Sequence, residues 1–129
     1  MPMINKENII LRLSFEFALK IMRYSEKLHE QRKFVVANQV MRSGTSIGAN
    51  IREAQSSESR SDFVYKFKIA AKEAEETEYW LLLCKHSENY PKCDDLLSDV
   101  STIQKIISKI ISSAKSKTLA NQHINKSAN

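Results

Sequence analysis

The stretch VMRSGTSIGANIREAQSSESR, residues 40–60, contains both glycines of the chain, and two very different structures are possible for it. Small polar residues beside arginines can form a loop that cradles phosphates, or a helix that neighbouring helices approach closely. A nucleotide-binding loop needs the spacing GxxxxGK[ST] after a strand. Here Gly44 and Gly48 are only four residues apart, and no lysine follows the second one. The spacing therefore excludes a phosphate loop and favours a helix.

The residues on either side of the glycines repeat with a helical period. From about Lys33 to Gln55, successive positions of one stripe are three or four residues apart, which places them on one side of a helix. A strand would instead bury every second residue. The predicted buried stripe of this second helix consists of Val36, Val40, Gly44, Ile47, Ile51 and Ala54.

Three further segments show amphipathic helical patterns. The first predicted helix covers about residues 5–28. The third covers about residues 60–86 and follows Ser59, which stands where a capping residue is expected. The fourth covers about residues 94–116 and starts with two aspartates, which favour a helix N-terminus. The third has the clearest stripe: Phe63, Phe67, Ala70, Ala74, Thr77, Leu81 and Cys84.

The composition sets the fold class. Two glycines and two prolines in 129 residues are too few for the turns of a sheet protein, so an all-α fold with short connections is expected. Four amphipathic helices with short links predict an antiparallel up-down-up-down four-helix bundle. The bundle is expected to occupy residues 1–116 as one domain. Residues 117–129 are polar and aperiodic, and a frayed C-terminal tail is predicted there.

Several classes of protein are not expected. The N-terminal segment carries Lys6, Glu7 and Arg12, which is unlike a signal peptide, and no apolar run reaches the ~18 residues that a membrane span needs. Cys84 and Cys93 lack CxxC spacing, which indicates reduced thiols in a cytoplasmic protein. We therefore expect no membrane contact.

Catalysis and metal binding are also not expected. A di-iron site in a bundle needs the motif ExxH on two helices. Only the segment from Glu26 to His29 has that spacing, at the end of a helix. The serines of residues 43–61 have no histidine nearby in the sequence. We expect a non-enzymatic protein with no cofactor, no metal and no small-molecule substrate.

The third helix carries a second stripe besides its core stripe. The two are separated by about 135° on an ideal helix, so a single bundle core cannot bury both. The second stripe is predicted to contact another subunit, and a carboxylate within it needs an arginine or several donors as partners. Its residues are Tyr65, Ile69, Glu76, Trp80 and Leu83.

Basic residues make a nucleic-acid surface the candidate functional site. The net charge is +5, and Arg42 and Arg52 lie opposite the buried stripe of the second helix. Lysine and arginine neutralise phosphates, so RNA or DNA is the candidate ligand. Arg60, Lys66 and Lys68 of the third helix would assist. The alternative is a structural role, with the arginines paired to Glu53 or Glu76. One flank of the second helix is predicted to supply inter-helix polar contacts: Gln39, Ser46, Asn50 and Glu53.

The stretch QVMRSGTSIGANIREAQSSESRSDFVYKFKIAAKEAEETEYWLLL, residues 39–83, resembles a known family. It is similar to the small bacterial four-helix-bundle proteins named after the 23S rRNA intervening sequences in which the first ones were encoded. The resemblance covers about residues 5–115. The matching positions are Gln39, Arg42, Ser46, Ile47, Asn50, Ile51, Glu53, Asp62, Phe63, Ile69, Ala70, Glu76, Glu78 and Leu81 to Leu83.

The resemblance implies an antiparallel four-helix bundle that assembles as a homopentamer. The activity of most members is unassigned. A relative in diversity-generating retroelements, the accessory variability determinant, is a basic pentameric barrel that associates with nucleic acid and a reverse transcriptase. By analogy, the resemblance implies an oligomeric binding or scaffold protein, with a purely structural protein–protein oligomer as the alternative.

Overall fold

Four α-helices make up the chain in a computed structural model that describes the backbone of residues 6–128 and the side chains of residues 9–117. They are α1 (Lys6–Glu30), α2 (Phe34–Ala54), α3 (Arg60–His86) and α4 (Asp94–Ala128). No strand occurs in the described backbone. The all-α prediction is therefore confirmed, and the predicted start of each helix lies within about two residues of the observed one.

Helix α4 is longer than the sequence predicts. Its helical backbone continues past Lys117 to Ala128, so the predicted helix end at this point is wrong. The segment after Lys117 contains no glycine or proline, and each residue added to an existing helix gains a backbone hydrogen bond. The loss of apolar periodicity therefore does not end the helix. Asn129 lies outside the described residues, as do the side chains of residues 118–129.

The helix ends explain how the chain turns without glycine. Helix α1 ends in a Schellman motif, in which the Lys33 amide donates to the Leu28 carbonyl and the Arg32 amide donates to the His29 carbonyl, each at 2.9 Å. Arg32 takes the left-handed conformation that glycine usually occupies there. At the start of α3 the Ser59 hydroxyl accepts a hydrogen bond from the Asp62 amide at 3.1 Å, which confirms the predicted cap.

Each helix packs against two neighbours. Helix α2 contacts α1 and α3, and α4 also contacts α1 and α3. Contacts between α1 and α2 join Ile21 with Gly44 and Ser14 with Gly48, so residue numbers fall along one helix as they rise along the other. Between α2 and α3, Ser43 contacts Thr77 and Glu53 pairs with Lys66 in the same opposite order.

The core lies between the four helices and is built from the predicted stripes. On α2 every predicted stripe residue is buried except Val36, which is half-buried. On α3 the whole predicted stripe is buried except Phe63, which is half-buried and stacks against Phe67 with ring centroids 4.7 Å apart. The largest fully buried side chains are Phe17, Phe67, Ile10, Ile21, Leu28, Ile47, Ile51, Leu81, Ile103, Ile107, Val40 and Val100.

The two glycines permit close packing of α1 on α2. Neither has a positive φ angle, so backbone freedom is not the reason for glycine at either position. A Cβ on Gly44 would lie 2.8 Å from both Cγ1 and Cγ2 of Ile21. A Cβ on Gly48 would lie 3.3 Å from the Ser14 carbonyl oxygen. The space that a side chain would need at these positions is thus occupied by α1, as the small residues of this stretch predicted.

The substitution Gly44→Ala tests this contact. The added methyl group forces Ile21 or the helix backbone to move, and such overpacking typically costs about 1–3 kcal/mol. Alanine recovers about 1 kcal/mol through its better helix propensity. We expect a net decrease in the free energy of unfolding, measured by urea denaturation.

Gly48→Ala is the matched control because it makes the same gain in propensity at a less crowded position. Its stability should lie closer to that of the unsubstituted protein. A Gly44→Ala protein as stable as the Gly48→Ala protein would contradict the steric role of Gly44.

Candidate functional site

The candidate site lies on the face where α2 and α3 reach the surface. Arg42, Ala49 and Arg52 are exposed on the side of α2 that faces away from the core, as predicted, and Thr45 is half-buried. The Thr45 hydroxyl donates to the Met41 carbonyl at 2.7 Å, so its polar group is satisfied within the helix. The surface between the two arginines consequently consists of small side chains.

Arg42 is held by two carboxylates of α3. Its guanidinium donates to Glu73 Oε2 at 3.1 Å and forms a short contact with Glu76 Oε2. The Trp80 indole N–H donates to the same Glu76 oxygen at 3.3 Å. Arg42 is thus an inter-helix clamp whose charge is balanced by two carboxylates. The sequence predicts an arginine partner for Glu76, but it places Glu73 on a solvated face.

The second stripe of α3 is partly covered by its own chain. Ile69, Glu76 and Trp80 are half-buried, and Trp80 packs against the core. Towards the two ends of the stripe, Tyr65 and Leu83 are exposed. The predicted subunit contact therefore stays a prediction, and within one chain α2 already accounts for the covered centre of the stripe.

The other predicted phosphate contacts differ in whether a carboxylate pairs with them. Lys66 lies 3.7 Å from Glu53, at the limit of an ion pair between two partly exposed side chains. Arg52, Arg60 and Lys68 are exposed and have no carboxylate partner within residues 9–117. Arg52 and Arg60 stand on either side of the connection between α2 and α3. Two cations without a carboxylate partner among the described residues therefore flank this connection.

The predicted polar flank of α2 mostly serves its own helix. Ser46 donates to the Arg42 carbonyl at 2.6 Å, and Asn50 donates to the Ser46 carbonyl at 2.8 Å. Only Glu53 of this set reaches another helix among the described residues. Ser46 and Asn50 thus bond within α2, because short polar side chains inside a helix reach the carbonyl one turn back, and the inter-helix role predicted for them stays a prediction. Gln39 is half-buried and makes no side-chain hydrogen bond with described residues.

The buried polar contact between α2 and α3 comes from a pair that the sequence patterns do not single out. Ser43 and Thr77 are both fully buried, and their hydroxyl oxygens lie 2.9 Å apart. Thr77 Oγ1 is also 2.7 Å from the Glu73 carbonyl oxygen. The helical period assigns Thr77 to the apolar stripe of α3. The sequence feature that could have predicted this contact is a threonine within an apolar stripe, because a buried hydroxyl needs a polar partner.

A groove of about 660 Å³ lies between α2 and α1, and Thr45, Ala49 and Arg52 of the outward face of α2 form part of its lining. Its floor is apolar and its edge carries two arginines. The lining residues are Leu11, Arg12, Ser14, Phe15, Ala18, Thr45, Gly48, Ala49 and Arg52.

The two cysteines are buried and do not form a reactive centre. The Cys93 thiol donates to the Leu81 carbonyl at 3.2 Å, and Tyr24 beside it donates to the Pro91 carbonyl at 2.7 Å. Burial raises the pKa of both the Cys84 and the Cys93 thiol, which lowers the thiolate fraction at neutral pH. Within the described residues no group of three or more histidine, cysteine, aspartate or glutamate side chains could hold a metal ion.

The ExxH motif at the end of α1 has a local explanation. His29 Nε2 lies 3.1 Å from Asn38 Oδ1, and its ring lies 5.5 Å from the Phe34 ring, measured between centroids. These contacts connect the end of α1 to the start of α2.

None of the helices in the described part of the chain is both long and apolar enough to cross a bilayer.

Comparisons with known proteins identify relatives of this fold. The family described as 23S rRNA-intervening sequence protein matches residues 6–109. Among solved structures, the chain is similar to a protein of unknown function from the S23 ribosomal protein family of Bacteroides thetaiotaomicron VPI-5482. The two share 44% identity with a TM-score of 0.79, over 84% of this chain and 99% of that one. No curated protein matches the chain.

The Ser43–Thr77 pair can be tested with a double-mutant cycle. Thr77→Val leaves the Ser43 hydroxyl buried without this partner, which costs about 1–3 kcal/mol in the free energy of unfolding. Ser43→Ala should cost less, because Thr77 keeps its contact with the Glu73 carbonyl.

The combined Ser43→Ala/Thr77→Val protein should be destabilised by less than the sum of the two single changes, since no hydroxyl of the pair is then left behind. Thermal or urea denaturation measures all four proteins. Strictly additive effects would show that the hydroxyls do not interact.

Proposed function

Because the chain belongs to the family of 23S rRNA-intervening sequence proteins, matched over residues 6–109, we propose that it is a non-enzymatic, oligomeric binding or scaffold protein. The proposed ligand is RNA or DNA, bound through the basic end of the α2–α3 face. The proposed location is the cytoplasm, in keeping with two free cysteines. The proposal includes no cofactor and no membrane contact.

The proposed assembly is a homopentamer of up-down-up-down bundles. The opposite order of the contacts between α1 and α2, and between α2 and α3, supports this topology. The family resemblance suggests the subunit number. Exposed Tyr65 and Leu83 on the second stripe of α3 support a contact beyond the single chain.

The nucleic-acid proposal rests on the uncompensated cations at the α2–α3 connection. Arg52, Arg60 and Lys68 have no carboxylate partner among the described residues, so their charges are available to phosphates. A closed ring would repeat this cluster around its axis and raise the local potential. Arg42 becomes a weaker candidate for a phosphate contact, since Glu73 and Glu76 already balance its charge.

A structural oligomer without a nucleic-acid ligand is the second candidate function. The clamp from Arg42 to Glu73 and Glu76 favours it, because that contact stabilises the packing of α2 on α3 without a ligand. The two candidates assign different roles to the two arginines of α2. Arg42 is structural in both, whereas Arg52 binds phosphate only in the first.

A salt titration of binding to generic RNA and duplex DNA tests the first candidate. Affinity should fall steeply as the salt concentration rises, because bound phosphates release counterions. If Arg52 binds one phosphate, Arg52→Ala should reduce the slope of log affinity against log salt by about 1. Arg60→Ala and Lys68→Ala should act in the same direction.

Lys109→Ala is the matched control, since it removes one exposed positive charge from α4 rather than from the basic end of α2 and α3. Its slope should remain close to that of the unsubstituted protein. Absence of binding at ~50 mM salt would reject the nucleic-acid ligand and leave the structural oligomer. An equal effect of Lys109→Ala would show that only net charge matters.

The clamp itself gives a separate prediction. Arg42→Ala should lower the free energy of unfolding by about 1 kcal/mol, since the arginine is half-exposed and solvent screens its ion pairs. The same change in Arg52, which has no partner among the described residues, should leave stability almost unchanged. Urea denaturation of both proteins measures the difference, and equal stabilities would contradict the clamp.

A further inference from the structure

Two patches of exposed apolar side chains lie on helices that do not pack against each other. The α1 patch consists of Phe15, Leu19 and Met22, which are four and three residues apart and therefore share one face of the helix. The α3 patch consists of Tyr79, Leu82 and Leu83. Phe15 is 63% exposed and Tyr79 is 58% exposed. Large apolar side chains grouped in this way mark an interaction surface.

The charges around the two patches have opposite signs. Residues 12–27 of α1 contain four basic and two acidic side chains, whereas residues 73–83 of α3 contain four acidic side chains and no basic one. Beside the α1 patch, Arg23 has no carboxylate partner within the described residues, and Arg12 has only Glu16 at 3.5 Å, with both side chains at least half exposed.

Two acidic groups beside the α3 patch likewise have no ion-pair partner among the described residues. Glu75 is one helical turn from Tyr79, and Glu78 is one turn from Leu82. Both have no cationic partner among residues 9–117, in contrast to Glu73 and Glu76, which hold Arg42. An apolar centre beside free arginine on one helix thus matches an apolar centre beside free glutamates on the other.

We infer that the α1 patch of one copy of this chain binds the α3 patch of a second copy. The inference rests on the proposed homo-oligomer and names its contact surfaces. One molecule cannot join its own patches, because α1 and α3 occupy opposite corners of the four-helix arrangement. Contact between two α1 patches would bring net positive segments together, and contact between two α3 patches would bring net negative segments together. Opposite charges therefore select the unlike pairing.

The unlike pairing has a consequence for assembly. Each chain uses one patch towards one neighbour and the other patch towards the next, which is a heterologous, head-to-tail contact. Such contacts close into rings when the rotation between subunits permits it. Tyr79 also suits an anchoring role, since its ring lies 5.9 Å from the Trp80 ring, which is itself packed against the core.

A mixing experiment tests the head-to-tail contact directly. Phe15→Asp disables the α1 patch, and Tyr79→Asp disables the α3 patch. Each variant alone should be a monomer of 14.8 kDa by light scattering at micromolar concentration. An equimolar mixture should form a complex of twice that mass and no larger, because each chain then keeps one intact patch that matches its partner's.

Because Phe15 and Tyr79 are both exposed, neither substitution should prevent the chain from folding. The aspartates enter solvent-facing sites, so the helical circular dichroism and melting temperature should stay close to those of the unsubstituted protein. Val35→Asp is the matched control, since Val35 is 73% exposed on α2, outside both patches. It should keep the mass of the unsubstituted assembly.

The outcomes separate this inference from the proposed function. The patch pairing is overturned if Phe15→Asp or Tyr79→Asp protein still forms the full assembly, or if their equimolar mixture stays monomeric. In either case the proposed oligomer of the unsubstituted protein is not affected. A monomeric unsubstituted protein overturns the proposed oligomer as well, and the patches then face a different partner. Failure to bind RNA or DNA rejects the proposed ligand and leaves the patch pairing intact.

Discussion

The arrangement of the helices depends on how closely α1 can approach α2 at Gly44. Ile21 occupies the space of a side chain at that position, and the Ser14 backbone does nearly the same at Gly48. Helix α2 is thereby held with its buried stripe against α1 and its opposite face in solvent. The surface that carries Arg42 and Arg52 is a consequence of this contact, since any rotation of α2 would move the glycines away from α1.

Helix α2 joins α1 and α3 through different chemistry. Its contact with α1 is steric and relies on small residues, whereas its contact with α3 includes the buried Ser43–Thr77 hydroxyls and the Arg42 clamp. Burying hydroxyls is tolerated because each has a partner. The clamp pairs Arg42, one of the two arginines on the outward face, with carboxylates of α3. Arg52 and Arg60, on either side of the connection to α3, keep charges that no carboxylate of the described residues balances.

Much of the fold and part of the site could be predicted from the sequence. The stripes of α2 and α3, the Ser59 cap and the reason for the glycines follow from local spacing. The pairing of Arg42 with Glu73 could not be predicted, because it depends on the rotation of two helices relative to each other. Ser46 and Asn50 lie on the predicted helix, but their hydrogen bonds have different partners from those expected.

Local spacing is sufficient to predict the four amphipathic helices, their starts and the residues that face the core, because helical period and capping act between residues close in the chain. Which charges are balanced and which remain free depends on how the helices pack. Arg42 and Arg52 both lie on the outward side of α2, about 80° apart around the helix axis, yet only Arg42 contacts carboxylates of α3, whereas Arg52 borders the groove beside α1. Spacing along α2 gives the direction of each arginine, but which side chains meet it there depends on where the neighbouring helices place them.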